Sequence, residues 1–150
     1  MTVILSDLDG VLVDSHASIM RAWRWWGAEH GVAAEAIESV QQGRPSGEVI
    51  AALARLGAAG LPVPEVLVTP ERLSRGKPDP EGYLLAAREL GAAPSECVVL
   101  EDAPAGIEAG RAAGMHVVGI TTTHDPAQLD AHELAPSIAA WLRSRNGARR

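Results

Sequence analysis

The chain has 150 residues, enough for one domain with a buried core. Its apolar content of 47% and charged content of 21% describe an ordinary soluble globular protein, and a net charge of −6 argues against nucleic acid as a main partner. Cys97 is the only cysteine, so an internal disulfide is excluded and a reducing compartment is expected; the apolar stretch before Asp7 has no basic residue ahead of it and is too short for a signal peptide or a membrane span, which points to the cytoplasm.

In chain order, Val3-Ile4-Leu5 predicts a short strand buried on both faces. It stops at Ser6-Asp7-Leu8-Asp9-Gly10, where two carboxylates two residues apart leave the strand on the same side. Gly10 permits a tight exit. Ser15 or Asp14 caps a helix to about His30, with Ile19, Trp23 and Trp26 on one face as packing residues. A second short helix spans 33–41, and Gly43-Arg44-Pro45-Ser46 breaks the chain before a helix reaching about Leu56. Gly57 to Pro64 is a connector.

Strands and helices then alternate. Val66 to Thr69 predicts a strand, Arg72 to Pro80 a polar loop, and Glu81 to Leu90 a helix stopped by Gly91. Cys97 to Leu100 is a strand ending at Glu101-Asp102; a helix opens at Pro104 and closes at Gly114. Met115 to Ile120 is the last strand, followed by a loop with Thr121 to Thr123 as a strand-end turn and a helix from Pro136 to about Arg145. The fold class is α/β: a Rossmann-like parallel sheet with helices on both faces and a reduced helical cap inserted after the first strand.

Asp7, Asp9, Glu101 and Asp102 leave strand ends, and Lys77 lies in the loop Arg75-Gly76-Lys77-Pro78-Asp79-Pro80. Four carboxylates in one crevice cannot all ionise at low cost without a cation. Hard oxygen donors with room for water and substrate suit Mg²⁺. Lys77 adds a point charge for a phosphate and for keeping a carboxylate ionised. Against these stand blander readings: a solvated acidic turn, helix capping by Glu101-Asp102, and a surface lysine. The five histidines have no metal-ligand spacing and read as structural or exposed.

DLDGVLVDS, SRGKPDPEGY and VVLEDAPAGIEAGRAAGM, in that order, resemble the first, third and fourth motifs of the haloacid dehalogenase-like hydrolase superfamily. The resemblance is to the sugar-phosphate phosphatase and phosphoglucomutase branch with a helical cap. It implies one core domain over 1–150 with 15–60 as a truncated cap. It implies that Asp7 is the nucleophile toward phosphorus and that Asp9 is the acid and base. Mg²⁺ is then held by Asp7, the Asp9 backbone carbonyl and Asp102, with Glu101 as helper, and Lys77 offsets charge on the nucleophile and the transferring phosphoryl group. Backbone N–H groups around Leu8, Asp9 and Gly10 cradle phosphate oxygens. Arg44, in Gly-Arg-Pro-Ser, resembles the cap loop that recognises substrate.

The second family motif, an apolar strand ending in a phosphate-binding Ser or Thr, is missing: the stretch from Arg44 to Pro64 offers one helix and no such strand. Losing an interior strand leaves backbone groups beside the first strand unpaired. Either Val66 to Thr69 slides into that place, bringing Thr69 to the vacant hydroxyl position, or the domain is poorly stable or completes itself by association. The expected function is a Mg²⁺-dependent phosphatase acting on a small phosphomonoester, a sugar or polyol phosphate, with activity reduced by the missing motif. A phosphoglucomutase-like isomerase, a phosphoacceptor signalling module and a non-catalytic phosphate-binding remnant are the competing readings. A monomer or a dimer completed by association is expected, with no nucleic-acid or membrane partner.

Overall fold

The computed structural model describes residues 3–7, 11 and 66–147. The expected helices between Ser15 and Leu56, together with Leu8, Asp9, Gly10 and Arg44, lie outside the described residues.

Four strands form one parallel sheet: β1 (Val3–Ser6), β2 (Cys97–Glu101), β3 (His116–Ile120) and β4 (Glu133–Ala135), in spatial order β1-β2-β3-β4. Successive strand residues face opposite sides, so a sheet covered on both faces needs unbroken apolar strands. In β2, all five residues are buried. Cys97 and Val99 join Leu5, Val117 and Met115 on one face; Val98 and Leu100 join Val118, Ile120 and Ala135 on the other. The first face is covered by α1 (Glu81–Glu89), through Tyr83 and Ala87, and by α2 (Pro104–Ala112), through Ile107 and Ala109. The second is covered by α3 (Ile138–Gly147), through Trp141. Fully burying an aliphatic side chain of this kind contributes about 1.5–3 kcal/mol.

The helix ends follow the local chemistry read from the sequence. Gly91 and Gly114 follow α1 and α2 with φ of 64° and 74°, the left-handed conformation that glycine adopts without steric cost. α2 lies close on the sheet because Gly110 has no side chain: a Cβ there would stand 2.8 Å from Val117 Cγ2 and 3.3 Å from Val99 Cγ1.

Three expectations need correction. Val66 to Thr69 is not a strand. Pro70 opens a 3₁₀ turn over Pro70–Arg72, and the Arg72 guanidinium donates to the Leu67 carbonyl at 2.7 Å, engaging an acceptor that a ladder would require. The segment therefore does not slide in beside β1, and the route by which Thr69 was to reach the phosphate falls with it. Second, β4 lies in a stretch read as loop; three residues ahead of Pro136 are too few to show a period. Third, α3 begins at Ile138 rather than Pro136, because Ser137 caps it, its hydroxyl accepting from Ala140 N at 3.2 Å.

Candidate active site

The pairing of β1 with β2 continues one residue past β1, where Asp7 N donates to the Leu100 carbonyl at 3.0 Å. That bond carries Asp7 to the carboxyl end of β2, beside Glu101 and Asp102. One carboxylate oxygen from each of Asp7, Glu101 and Asp102 lies within 4.8 Å of the others. Ligands of open α/β sheets sit at this end of the strands.

Lys77 arrives from the loop ahead of α1. Its Nζ donates to Asp7 Oδ1 at 2.6 Å and also to Glu101 Oε1. The loop is pinned from α1: the Glu81 carboxylate accepts Ser74 N at 3.0 Å and Arg75 N at 2.8 Å, which holds that carboxyl below its usual range. Burial pulls the Lys77 pKa down, but the facing charges of Glu101 and Asp7 outweigh it and raise the pKa well above the ordinary lysine value. The ammonium also stands 5.4 Å from the centre of the Tyr83 ring.

Glu101 is buried, with 1% of its side chain exposed, and every oxygen is engaged. Oε1 accepts from Lys77 and from the Tyr83 hydroxyl at 2.9 Å; Oε2 accepts from Asp102 N at 3.0 Å and Ala103 N at 3.1 Å. Glu101 thus holds the amides of the turn that leads into α2, but it does not cap that helix, whose N-cap Ala103 offers no side-chain hydrogen bond. Burial first, then the nearby Asp7 charge, push the Glu101 carboxyl up against the opposing pull of Lys77. Burial likewise drives the Tyr83 hydroxyl pKa well above its ordinary value. Gly106 makes room for this carboxylate: a Cβ there would overlap it directly.

Asp102 is also buried, at 5% exposure, and burial raises its carboxyl although a hydrogen bond from Thr123 acts against the rise. The structure thus brings together Asp7, Lys77, Glu101 and Asp102. Thr69 instead precedes the 3₁₀ turn, accepting Arg72 N at 3.0 Å. Tyr83, Thr123 and His124 belong to the same network and were missed. Tyr83 carried a signal: it is the only tyrosine, one helical turn beyond a Lys-Pro-Asp-Pro loop, and a buried phenol seeks a partner for its hydroxyl.

The donor set fits a hard divalent cation. Among the described residues, three carboxylates gather with one lysine, leaving excess negative charge in a half-buried site, and all are oxygen donors.

A family model for haloacid dehalogenase-like hydrolases matches residues 45–114. Hexitol phosphatase A of Escherichia coli (strain K12) is 35% identical, with 87% of this chain and 88% of that protein covered. The chain belongs to the haloacid dehalogenase-like hydrolases. The alignment with that relative runs over 189 positions, more than the 150 residues of this chain, so segments of it have no counterpart here. Validoxylamine A 7'-phosphate phosphatase of Streptomyces hygroscopicus subsp. limoneus is 55% identical over 74 residues, 49% of this chain and 34% of that protein. The chain thus spans most of the first relative and about a third of the second. Among solved structures, a hydrolase from Pseudomonas syringae superposes with a TM-score of 0.74 at 22% identity, covering 98% of this chain and 99% of that one, a likeness of fold. Among the described residues no helix is long and apolar enough to cross a membrane.

Proposed function

We propose that this haloacid dehalogenase-like hydrolase is a Mg²⁺-dependent cytoplasmic phosphatase of a small phosphomonoester, a sugar or polyol phosphate. The reading takes 1–150 as one core domain with 15–60 as a shortened cap, and the chain as a monomer or a dimer completed by association. The observation that carries it is the placement of the Lys77 ammonium, 2.6 Å from Asp7 Oδ1, in a cluster where Asp7, Glu101 and Asp102 converge. The names of the relatives, both phosphatases of phosphorylated small molecules, support the same class.

Asp7 and Asp102 would hold the ion, together with the Asp9 carbonyl. Glu101, with both oxygens already engaged, acts beside the ion by fixing Lys77 and the turn. When bound, Mg²⁺ offsets charge on the phosphoryl oxygens and aligns them with Asp7. An Asp7 carboxylate oxygen attacks phosphorus as the P–O bond to the leaving alcohol breaks, giving a phosphoaspartate. Asp9 gives its proton to the leaving oxygen, then takes one from the water that releases inorganic phosphate and restores Asp7. Lys77 keeps the Asp7 carboxylate oriented and offsets charge on the transferring group. Backbone N–H groups of Leu8, Asp9 and Gly10 would cradle that group, with Arg44 as a further candidate for substrate contact.

The purified protein is expected to release phosphate from para-nitrophenyl phosphate with Mg²⁺ and to stop with EDTA. Asp7→Asn should lower turnover by at least about 10³-fold, as expected when a nucleophile is lost. A folded wild type that releases no phosphate from this ester or from a panel of sugar and polyol phosphates overturns the reading.

A further inference from the structure

The loop after β3 reaches back to Asp102. Its start is fixed by Thr121 N, which donates to the Ala135 carbonyl at 3.0 Å, and its end by Asp125, whose side chain accepts Ala127 N at 2.9 Å. Between these anchors the Thr123 hydroxyl contacts Asp102 Oδ2, and His124 Nδ1 stands 3.0 Å from the Asp102 carbonyl and 2.9 Å from Thr123 Oγ1. The direction of these bonds can be deduced. A carbonyl only accepts, so His124 must carry its proton on Nδ1 and donate. A hydroxyl has one proton, and the closest acceptor to it is Asp102 Oδ2. His124 therefore fixes Thr123 and the Asp102 main chain, and Thr123 fixes one oxygen of the Asp102 carboxylate.

We propose that Thr123, oriented by His124, is a positioning residue for Asp102: it holds Oδ2 so that Oδ1 is the oxygen presented to the divalent cation. The inference rests on the reading of Asp102 as a cation ligand. A carboxylate buried at 5% exposure has little water to satisfy the oxygen that an ion leaves free. A donor on that oxygen removes the cost and selects one rotamer, the task that partners behind metal ligands commonly perform.

Calorimetric titration of wild type, Thr123→Val and Thr123→Ser with Mg²⁺ tests it, with apparent Mg²⁺ dependence of para-nitrophenyl phosphate turnover as a second readout. Thr123 lies in an exposed loop, so the valine variant should fold, and thermal unfolding checks that it does. Expected is a weakening of Mg²⁺ binding by about tenfold in Thr123→Val, with Thr123→Ser within about twofold of wild type because it restores the hydroxyl. KM for the ester at saturating Mg²⁺ should not move. Wild-type Mg²⁺ affinity in a folded Thr123→Val overturns the proposal and leaves the cation reading standing. Failure of wild type to bind Mg²⁺ overturns the cation reading, and the proposal with it.

Discussion

At the carboxyl ends of β1 and β2, three carboxylates lie together and two of them bind Lys77; at the amino ends of β3 and β4, the single carboxylate of Glu133 is shared by His116 Nε2 and Arg145, each at 2.8 Å. Both clusters join neighbouring elements through carboxylates, that of Glu133 by a hydrogen bond with His116 and an ion pair with Arg145. They differ in burial and in balance. The Glu133 side chain is 39% exposed and has a partner for its charge, whereas that of Glu101 is 1% exposed in a group with more acid than base. Water screens the first cluster, which reads as an ordinary surface arrangement. The second holds charge that the described residues do not neutralise, the arrangement that suits an ion or a reacting phosphoryl group. Charge in a cluster is therefore a weak sign of function, while buried and unbalanced charge is a stronger one.

The sharpest way to break this contrast is at its one shared cation. Lys77→Ala should lower kcat/KM by about 10²–10³-fold, the range for loss of one group that stabilises transition-state charge. If steady-state kinetics on the ester show less than a threefold change, Lys77 belongs with the surface pairs.

Steric room is the next lever. Gly106→Ala places a methyl group on the Glu101 carboxylate and should destabilise the fold by about 1–3 kcal/mol, as overpacking does, with a fall in activity from the displaced carboxylate. Urea unfolding measures it; an unchanged midpoint with full activity would mean that Glu101 has freedom to move which its four hydrogen bonds argue against.

The smallest effect is expected at the other end of the sheet. Burial nudges the Glu133 carboxyl up, but hydrogen bonds from His116 and Arg145 prevail and its pKa lies below the usual value. A depressed carboxyl contributes stability that is present above its unfolded pKa and is lost as pH falls through its folded one. Glu133→Gln should therefore cost about 0.2–1 kcal/mol near neutrality, discounted for exposure, and the deficit should vanish in acid. Unfolding curves at the two pH values decide it, and a deficit that persists in acid would assign the loss to packing.

Much of this site can be read from the chain because each of these residues stands next to its own local marker. Asp7 follows an apolar run, Glu101-Asp102 ends another, and Pro104 announces the helix behind them. Lys77 is flanked by the turn chemistry of Gly76, Pro78 and Pro80. Tyr83 and Thr123 have no such marks. The first sits on a helix face with the pattern of core residues, and the second in a run of three threonines typical of a turn; what distinguishes each is a partner 18 or 21 residues away along the chain. Val66-Leu67-Val68-Thr69 misleads for the opposite reason. Its β-branched composition suits a strand, yet the decision is made outside it by Pro70 and Arg72.

β1 is four residues long and, among the described residues, meets the sheet along one side only, through β2. Peeling it away would carry Asp7 from Lys77 and from the acids of β2, so whatever occupies those oxygens also fastens the strand. Occupancy and the docking of this short segment are linked equilibria: each raises the population of the other by the same factor. Amide protons of Leu5 and Ser6 would report that linkage, exchanging more slowly as the cluster fills.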